Sequence, residues 1–305
     1  MIIPLLLLLL SSSASAITDW QYVSFDEAMK KTSYPQAIST TERIVGIDGN
    51  MLYNFFKNIY ETLNPSHLQS DAELKIPKII HQIWLGSPVP ESFKGLQQSW
   101  IEHHIGRDWK YKLWTDEDVA QIKLHNQEFY DATDNYGVKS DILRWEILHA
   151  FGGVYVDMDY ECLHALDDLH YIYDFYTALQ PLDTLFVQLG AALFGSTPGH
   201  PILKHSIETI KHDWHLQGAP KKTGPVHFTK SFQTCACLNG NKDIAFPALY
   251  FYPLGCQDTE ANRIVWREQG SYAVHWWAKS WMPKNYRPAY FRDIDNDSSA
   301  ATWND

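Results

Sequence analysis

The chain has few cysteines, little positive charge and no long apolar run. Four cysteines occur in 305 residues, Cys162, Cys235, Cys237 and Cys256. A Cys-x-Cys with one distant partner lacks the second ligand pair of a structural zinc site. An even count permits disulfides in an exported chain, and Cys235 and Cys237 stand too close to bridge each other easily, so either one with Cys256 is the expected pair. Lys and Arg number 25 against 36 Asp and Glu, a net charge of -11. That balance disfavours nucleic acid and anionic membrane surfaces as partners. It also opposes any small anionic ligand, so local cations must offset it, and Arg144, Lys221 and Lys222 are the candidates. The apolar run Ile2 to Leu10 is far short of the roughly 20 residues that span a bilayer, and no internal repeat is present.

What is there begins with that short run. It is followed by Ser11-Ser12-Ser13 and Ala14-Ser15-Ala16, the small-residue end of a cleavable secretory signal, although no Lys or Arg precedes it. Export with cleavage after Ala16 is expected, and the alternative is a retained segment that anchors the protein at a membrane. At the other end, residues 286–305 are acidic, small and polar, the composition of a flexible tail. Between them 45% of the chain is hydrophobic and 12 residues are Trp, enough for a large core with aromatic-lined clefts.

The densest chemistry lies in Ser140–Asp159, SDILRWEILHAFGGVYVDMD. Val138 to Phe151 has helical spacing, with Ile142, Trp145 and Leu148 in one stripe and Ser140 or Asp141 near the start. Asp141 and Arg144 are three apart and share a face. Gly152-Gly153 stops the helix, and Val154 to Asp159 reads as a strand. Alternation would place Tyr155, Asp157 and Asp159 on one side of it. Adjacent carboxylates repel and drift toward protonation unless a cation sits with them, so a hard divalent ion is the natural partner. A lone Asp-x-Asp is also a common solvated turn, and an Asp/Arg pair is also a common surface ion pair. A calcium loop is excluded, because Asp157-Met158-Asp159-Tyr160-Glu161-Cys162 lacks the further ligands and the glycine.

Around this segment, Asn50 to Leu63 is a helix with Asn50 as its cap, and Asn64-Pro65 punctuates the chain. Lys78 to Leu85 reads as a buried strand followed by a Gly86–Pro90 loop, and Trp109 to Trp114 as a second strand, after which Thr115 caps a helix. Alternating strands and helices give an α/β core with a mostly parallel sheet. His205, His212 and His215 read as a solvated helix face.

Residues 140–159 resemble the DXD-containing sugar-binding segment of glycosyltransferase family 32, which includes fungal and bacterial mannosyltransferases and is similar to the core of clostridial glucosylating toxins. Ile76–Trp84 (IPKIIHQIW), Tyr111–Asp116 (YKLWTD), Thr223-Gly224-Pro225 and His275…Ser280-Trp281 extend the likeness over residues 75 to 282. The resemblance implies a GT-A-type, Rossmann-like fold, and a layout of signal peptide 1–16, helical extension 17–74, glycosyltransferase domain 75–285 and flexible tail 286–305. It further implies that Trp84 stacks on a nucleotide base, against a plain core role. Asp141 and Arg144 would bind the donor sugar and the phosphate side, and Arg144 has the fork suited to such oxygens. Asp157 would meet the ribose and a metal-bound water, Asp159 the metal, and Tyr155 would pack on the nucleotide or position an acid. A closing loop would bring His275 and Ser280 as metal ligands and Trp281 as a lid, while Trp276 and Trp277 fit core positions nearly as well. Thr223-Gly224-Pro225 lines the acceptor cleft or is simply a turn.

The implied activity is metal-dependent, configuration-retaining transfer of a hexose, mannose slightly favoured, from GDP-mannose or a UDP-hexose to a glycan, glycolipid or protein, with Mn²⁺ or Mg²⁺. No protein nucleophile or single base is assigned. A glycoside hydrolase would place its two carboxyls about 5–9.5 Å apart across the scissile bond, which neighbours on one strand suit poorly. A carbohydrate- or nucleotide-sugar-binding protein without turnover is the third reading.

Overall fold

A computed structural model describes residues 22–29, 34–68, 73–258 and 261–280; the expected signal peptide, the acidic tail and Trp281 lie outside the described residues. The chain enters through helices α1 (Phe25–Ala28), α2 (Tyr34–Val45) and α3 (Gly49–Leu63). α3 is capped by Asp48, which accepts the Met51 N–H at 2.8 Å, rather than by Asn50. A carboxylate oxygen answering an unpaired first-turn amide is the stronger start signal, and it lies two residues earlier. Strand β1 (Ile79–Ile83), α4 (Glu91–His104), β2 (Lys110–Trp114), α5 (Asp116–Val119), α6 (Gln127–Asp131) and α7 (Tyr136–Phe151) follow. Then come β3 (Gly153–Val156), β4 (Tyr160–Cys162), α8 (Asp167–Ile172), β5 (Phe175–Leu179) and β6 (Leu189–Ser196). The last elements are α9 (Pro201–Asp213), α10 (Ala219–Lys222), α11 (Pro225–Cys235), β7 (Asp243–Phe246), α12 (Arg263–Glu268) and β8 (Ala273–His275).

The central sheet has the order β2-β1-β3-β6-β5-β7. β1 runs parallel to β2 and β3, and β5 parallel to β7, while β6 alone is antiparallel to both its neighbours. This is the α/β architecture with a mostly parallel sheet that the alternation of elements implied. β3, β5, β6 and β7 are buried on both faces, as expected of a sheet covered by helices, while the edge strand β2 is largely half-buried. Trp145 of α7 is fully buried and stacks between Phe194 of β6 and Phe228 of α11, centroids 4.9 and 4.8 Å away. Removing such a ring from a packed core costs about 3–5 kcal/mol. The first three helices share this core: Phe25, Phe56 and Tyr60 are fully buried, and the Tyr60 and Tyr250 hydroxyls are hydrogen-bonded at 3.0 Å.

Three local features matter for the site. α7 begins at Tyr136, because Asn135 caps it by accepting the Gly137 and Val138 N–H groups, so Ser140 and Asp141 fall in its second turn. Gly152 and Gly153 have φ of 63° and 99°, and a Cβ on Gly153 would lie 2.5 Å from the Ile79 carbonyl oxygen. Only glycine meets both demands. β3 then stops at Val156 instead of continuing to Asp159. The Asp157 N–H still reaches the Ala192 carbonyl at 2.8 Å, but Tyr160 N–H turns back to the Asp157 carbonyl at 3.2 Å. The two carboxylates are therefore displayed by a tight turn at the carboxyl end of the sheet.

All four cysteines are free, against the expected bridge. Asp243, at the start of β7, accepts the Cys237 N–H and keeps Cys235 and Cys237 at that end, whereas Cys256 follows the strand's other end. Among the described residues no helix is long and apolar enough to cross a membrane.

Candidate active site

One cavity of about 340 Å³ opens at the carboxyl ends of β1 and β3. Trp84, Asp141, Arg144, Tyr155, Asp157, Asp159, His275 and Ser280 all line it, so the structure gathers the acids, the arginine, the aromatic rings and the loop residues nominated for donor and metal. They come from β1, α7, β3 and the segment after β8. The carboxyl edge of an open α/β sheet is where such folds place ligands.

The small ribbon β4–β8 brings the distant histidine in. Tyr160 pairs with His275, so the residue next to Asp159 is fixed opposite the imidazole. His275 Nε2 lies 3.1 Å from Asp159 Oδ1, and the Ala278 N–H donates to Asp159 Oδ2 at 2.8 Å. Trp276 N–H donates to the Asp159 carbonyl at 2.9 Å. The 276–280 segment is thus tied to the acid by backbone bonds. Burial pushes the Asp159 carboxyl up, but His275 and these bonds overcome it and hold the group below the usual carboxylate range.

Asp157 behaves in the opposite sense. Burial raises its carboxyl, and neighbouring Asp159 adds to that, while Arg144 offsets only part. The Tyr155 hydroxyl donates to Asp157 Oδ1, and Arg144 Nη1 lies 3.3 Å from the same oxygen. Tyr155 is buried, with Arg144 stacked 4.5 Å from its ring centre, and its hydroxyl is aimed at the Asp157 carboxyl.

Arg144 is the hub. Its Nη1 donates to the Ala191 carbonyl at 2.6 Å and its Nε to the Ser140 carbonyl at 3.2 Å, and Nη2 lies 3.3 Å from Asp141 Oδ1. Burial disfavours the cation, yet Asp157, Tyr155 and Asp141 together raise its proton affinity above normal. The Ala191 carbonyl is free to accept because β6 is irregular here: its register against β5 shifts between Thr177 and Leu179. Bulges of this kind commonly sit beside active sites. Asp141 accepts a second bond from the Thr223 hydroxyl at 2.9 Å. Burial still pushes it up to about 6, with Arg144 and Thr223 working against the shift.

Asp157, Asp159 and His275 each offer one ligand atom, and these atoms all lie within 4.8 Å of one another. Among the described residues His275 Nδ1 is buried without a hydrogen-bond partner, and Tyr155 and Arg144 both meet Asp157 at Oδ1. Two carboxylates and an imidazole fit a divalent ion of intermediate hardness.

Other expectations resolve differently. Trp84 is 8% exposed, packs on Phe93 at 5.0 Å and also lines the cavity. Lys221 and Lys222 do not line the cavity, and Lys222 instead sits over the Trp214 ring. Lys279 takes their place on the lining. Thr223-Gly224-Pro225 serves Asp141 directly: Thr223 donates to it, and a Cβ on Gly224 would come 3.0 Å from Asp141 Oδ2. Trp277 lines the cavity while Trp276 lies beneath Arg263, outside it. Of the three histidines expected on a solvated helix face, His212 is exposed on α9, His215 is exposed two residues beyond that helix, and half-buried His205 instead meets the Ser231 hydroxyl of α11 at 3.1 Å. Gln180, Gln188, Tyr136 and Lys279 line the site without having been singled out.

Residues 90–176 match the family model described as the glycosyltransferase sugar-binding region containing the DXD motif. Over 144 residues the chain is 35% identical to inositol phosphoceramide mannosyltransferase 2 of Schizosaccharomyces pombe, covering 46% of this chain and 40% of that protein. It is 36% identical over 159 residues to a mannosyl phosphorylinositol ceramide synthase of Saccharomyces cerevisiae, covering 50% of this chain and 38% of that one. An uncharacterized glycosyltransferase of Acanthamoeba polyphaga mimivirus is 26% identical over 219 residues, 68% of this chain and 84% of its own. The chain thus spans about 40% of the length of the two yeast proteins.

Proposed function

We propose that this chain, whose residues 90–176 carry a DXD sugar-binding region, is a metal-dependent glycosyltransferase that moves a hexose from a nucleotide-diphosphate sugar to an acceptor hydroxyl with retention of configuration. One observation carries the reading: Asp157, Asp159 and His275 converge within 4.8 Å beside the Arg144–Asp141 pair in a single cavity. A bound Mn²⁺ or Mg²⁺ would neutralise the leaving diphosphate and act as a template for it.

The chain's own residues supply the rest. Asp159 and His275 would hold such an ion directly, and Asp157, positioned by the Tyr155 hydroxyl, would complete the set. Arg144 is held against four acceptors, so its fork is already oriented and little is lost on engaging phosphate oxygens. Asp141 offers a carboxylate oxygen to a sugar hydroxyl. As the glycosidic bond breaks, positive charge grows at the anomeric carbon, and Asp141 and Asp157 face it. The departing phosphate takes the acceptor's proton, so no protein base is assigned. Trp84 would meet the base from the cavity wall, and Ser280 and Lys279 would border the diphosphate.

Mannose is the favoured sugar and an inositol-phosphate glycolipid the favoured acceptor, since the two yeast relatives are named for that transfer. Export through residues 1–16 fits such an acceptor. The test is hydrolysis of GDP-mannose, UDP-glucose, UDP-galactose and UDP-N-acetylglucosamine with Mn²⁺, with EDTA, and in Asp159→Ala. One donor should be hydrolysed only with metal and only by the wild type. Metal-independent turnover, or an active Asp159→Ala variant, would sink the reading. A glycoside hydrolase fits less well, because the two acids share one turn and one cation-binding cluster.

A further inference from the structure

Beyond the carboxylates, the cavity floor contains a buried pair of amides that the charged machinery does not use. Gln180 follows β5 and Gln188 precedes β6, and they are 8% and 6% exposed. Their backbones are joined by Gln180 N–H to the Gln188 carbonyl at 3.0 Å, and Gln188 Nε2 donates to Gln180 Oε1 at 2.7 Å. Both side chains line the same cavity as Arg144 and Asp157. The pair is left half-satisfied: among the described residues Gln188 Oε1 is buried with no hydrogen-bond partner. A buried polar group without a partner costs roughly 1–3 kcal/mol, so one kept in a cavity wall calls for a ligand that satisfies it.

The sheet order says which part of a ligand. At the carboxyl edge the sequence of strands is β1, β3, β6, β5. Trp84 follows β1, the carboxylate turn follows β3, and Ala191, which binds Arg144, lies on β6. Gln180 and Gln188 sit at the far side, where β5 meets β6. Two strand spacings, about 10 Å, separate β3 from β5. A donor laid along this edge puts its base at β1 and its diphosphate at β3. The ring then lies over β6, with the hydroxyls farthest from the anomeric carbon at β5.

An amide pair is suited to that end of the sugar. One neutral donor and one neutral acceptor complement adjacent hydroxyls, and they neither attract nor repel the diphosphate. We propose that Gln180 and Gln188 form a specificity-determining subsite for the 3-, 4- or 6-hydroxyl of the transferred hexose. The inference rests on the nucleotide-sugar reading and adds to it the side of the sugar that the protein inspects.

The experiment takes the nucleotide-sugar that the wild type hydrolyses, together with its 3-, 4- and 6-deoxy analogues. kcat/KM is compared in wild type, Gln188→Leu and Gln180→Leu, with binding of the matching nucleoside diphosphate as the sugar-free control. In the wild type at least one deoxy analogue should lose roughly tenfold to a hundredfold. In the variants the parent sugar should fall by a similar factor, that deoxy penalty should vanish, and the diphosphate should bind as before. Variants that keep the wild-type deoxy pattern overturn the inference while leaving the activity intact. A matching drop in diphosphate binding also overturns it, since the pair would then only support the fold. Should the wild type hydrolyse none of the four donors, the nucleotide-sugar reading falls and the subsite with it.

Discussion

Thr223→Val is the substitution through which the electrostatics of the site can be read. The change removes one hydroxyl and keeps the side-chain shape, and the Trp145 indole bond to the Thr223 carbonyl is untouched. What is lost is the 2.9 Å bond to Asp141 Oδ2 in a fully buried setting. Asp141 is already pushed up to about 6 by burial, with Arg144 and the Thr223 bond holding it down. A hydrogen bond to a charged group contributes about 1.5–3 kcal/mol, equivalent to roughly one to two pKa units. Asp141 must be ionised to hold Arg144 and to accept a sugar hydroxyl, so the acidic limb of activity should move from about pH 6 to between about 7 and 8. The assay is kcat/KM for donor hydrolysis from pH 5 to 9. Loss at pH 6.5 with recovery near pH 9 is the expected pattern. A limb that stays put, or moves to lower pH, would refute the argument.

The same group makes a stability prediction, and its sign is fixed by linkage. The folded-state value lies above the ordinary carboxylate value of 3.8, so the native state binds this proton more tightly than the unfolded chain. Its contribution is therefore full below pH 3.8 and is lost as pH rises through about 6, a change of about 3 kcal/mol for two units. Thr223→Val should deepen that loss. Urea midpoints should then differ between variant and wild type more at pH 8 than at pH 5.

Three further outcomes follow from the geometry. Tyr155→Phe removes the donor to Asp157, whose carboxyl is already raised, so activity at pH 7 should fall about tenfold and recover in part at higher pH, read from the pH–rate profile. Arg144→Lys replaces a fork that meets four acceptors by a point charge, and should lower kcat/KM by more than about a hundredfold while the far-ultraviolet spectrum is unchanged. Gly190→Ala places a methyl 1.7 Å from the Tyr252 hydroxyl inside the sheet, and overpacking of this kind should cost about 1–3 kcal/mol in a denaturant melt.

How far the sequence reaches depends on how far apart the interacting residues lie. The helix, the Gly152-Gly153 stop and the acids are consecutive, and their local rules are legible without a fold. The same rules overran at Val156, since alternation cannot see that Tyr160 N–H folds back onto Asp157 and turns a strand end into a display for two carboxylates. Asn135 went unnoticed as the cap of α7 because an apolar stripe marks where a helix is buried, not where its first amides are answered. Lys221 and Lys222 were nominated by charge alone, and position excludes them. The deepest omission is of another kind. Thr223 and Asp141 are 82 residues apart, and Gln180 and Gln188 have no motif around them. Their roles arise only where β5 meets β6 beside a bulge, so the polar floor of the cavity is a property of the sheet order rather than of any segment. A family resemblance built on ordered motifs therefore locates the bond-breaking end of such a site. The end that selects the sugar has to be read from the strands' arrangement.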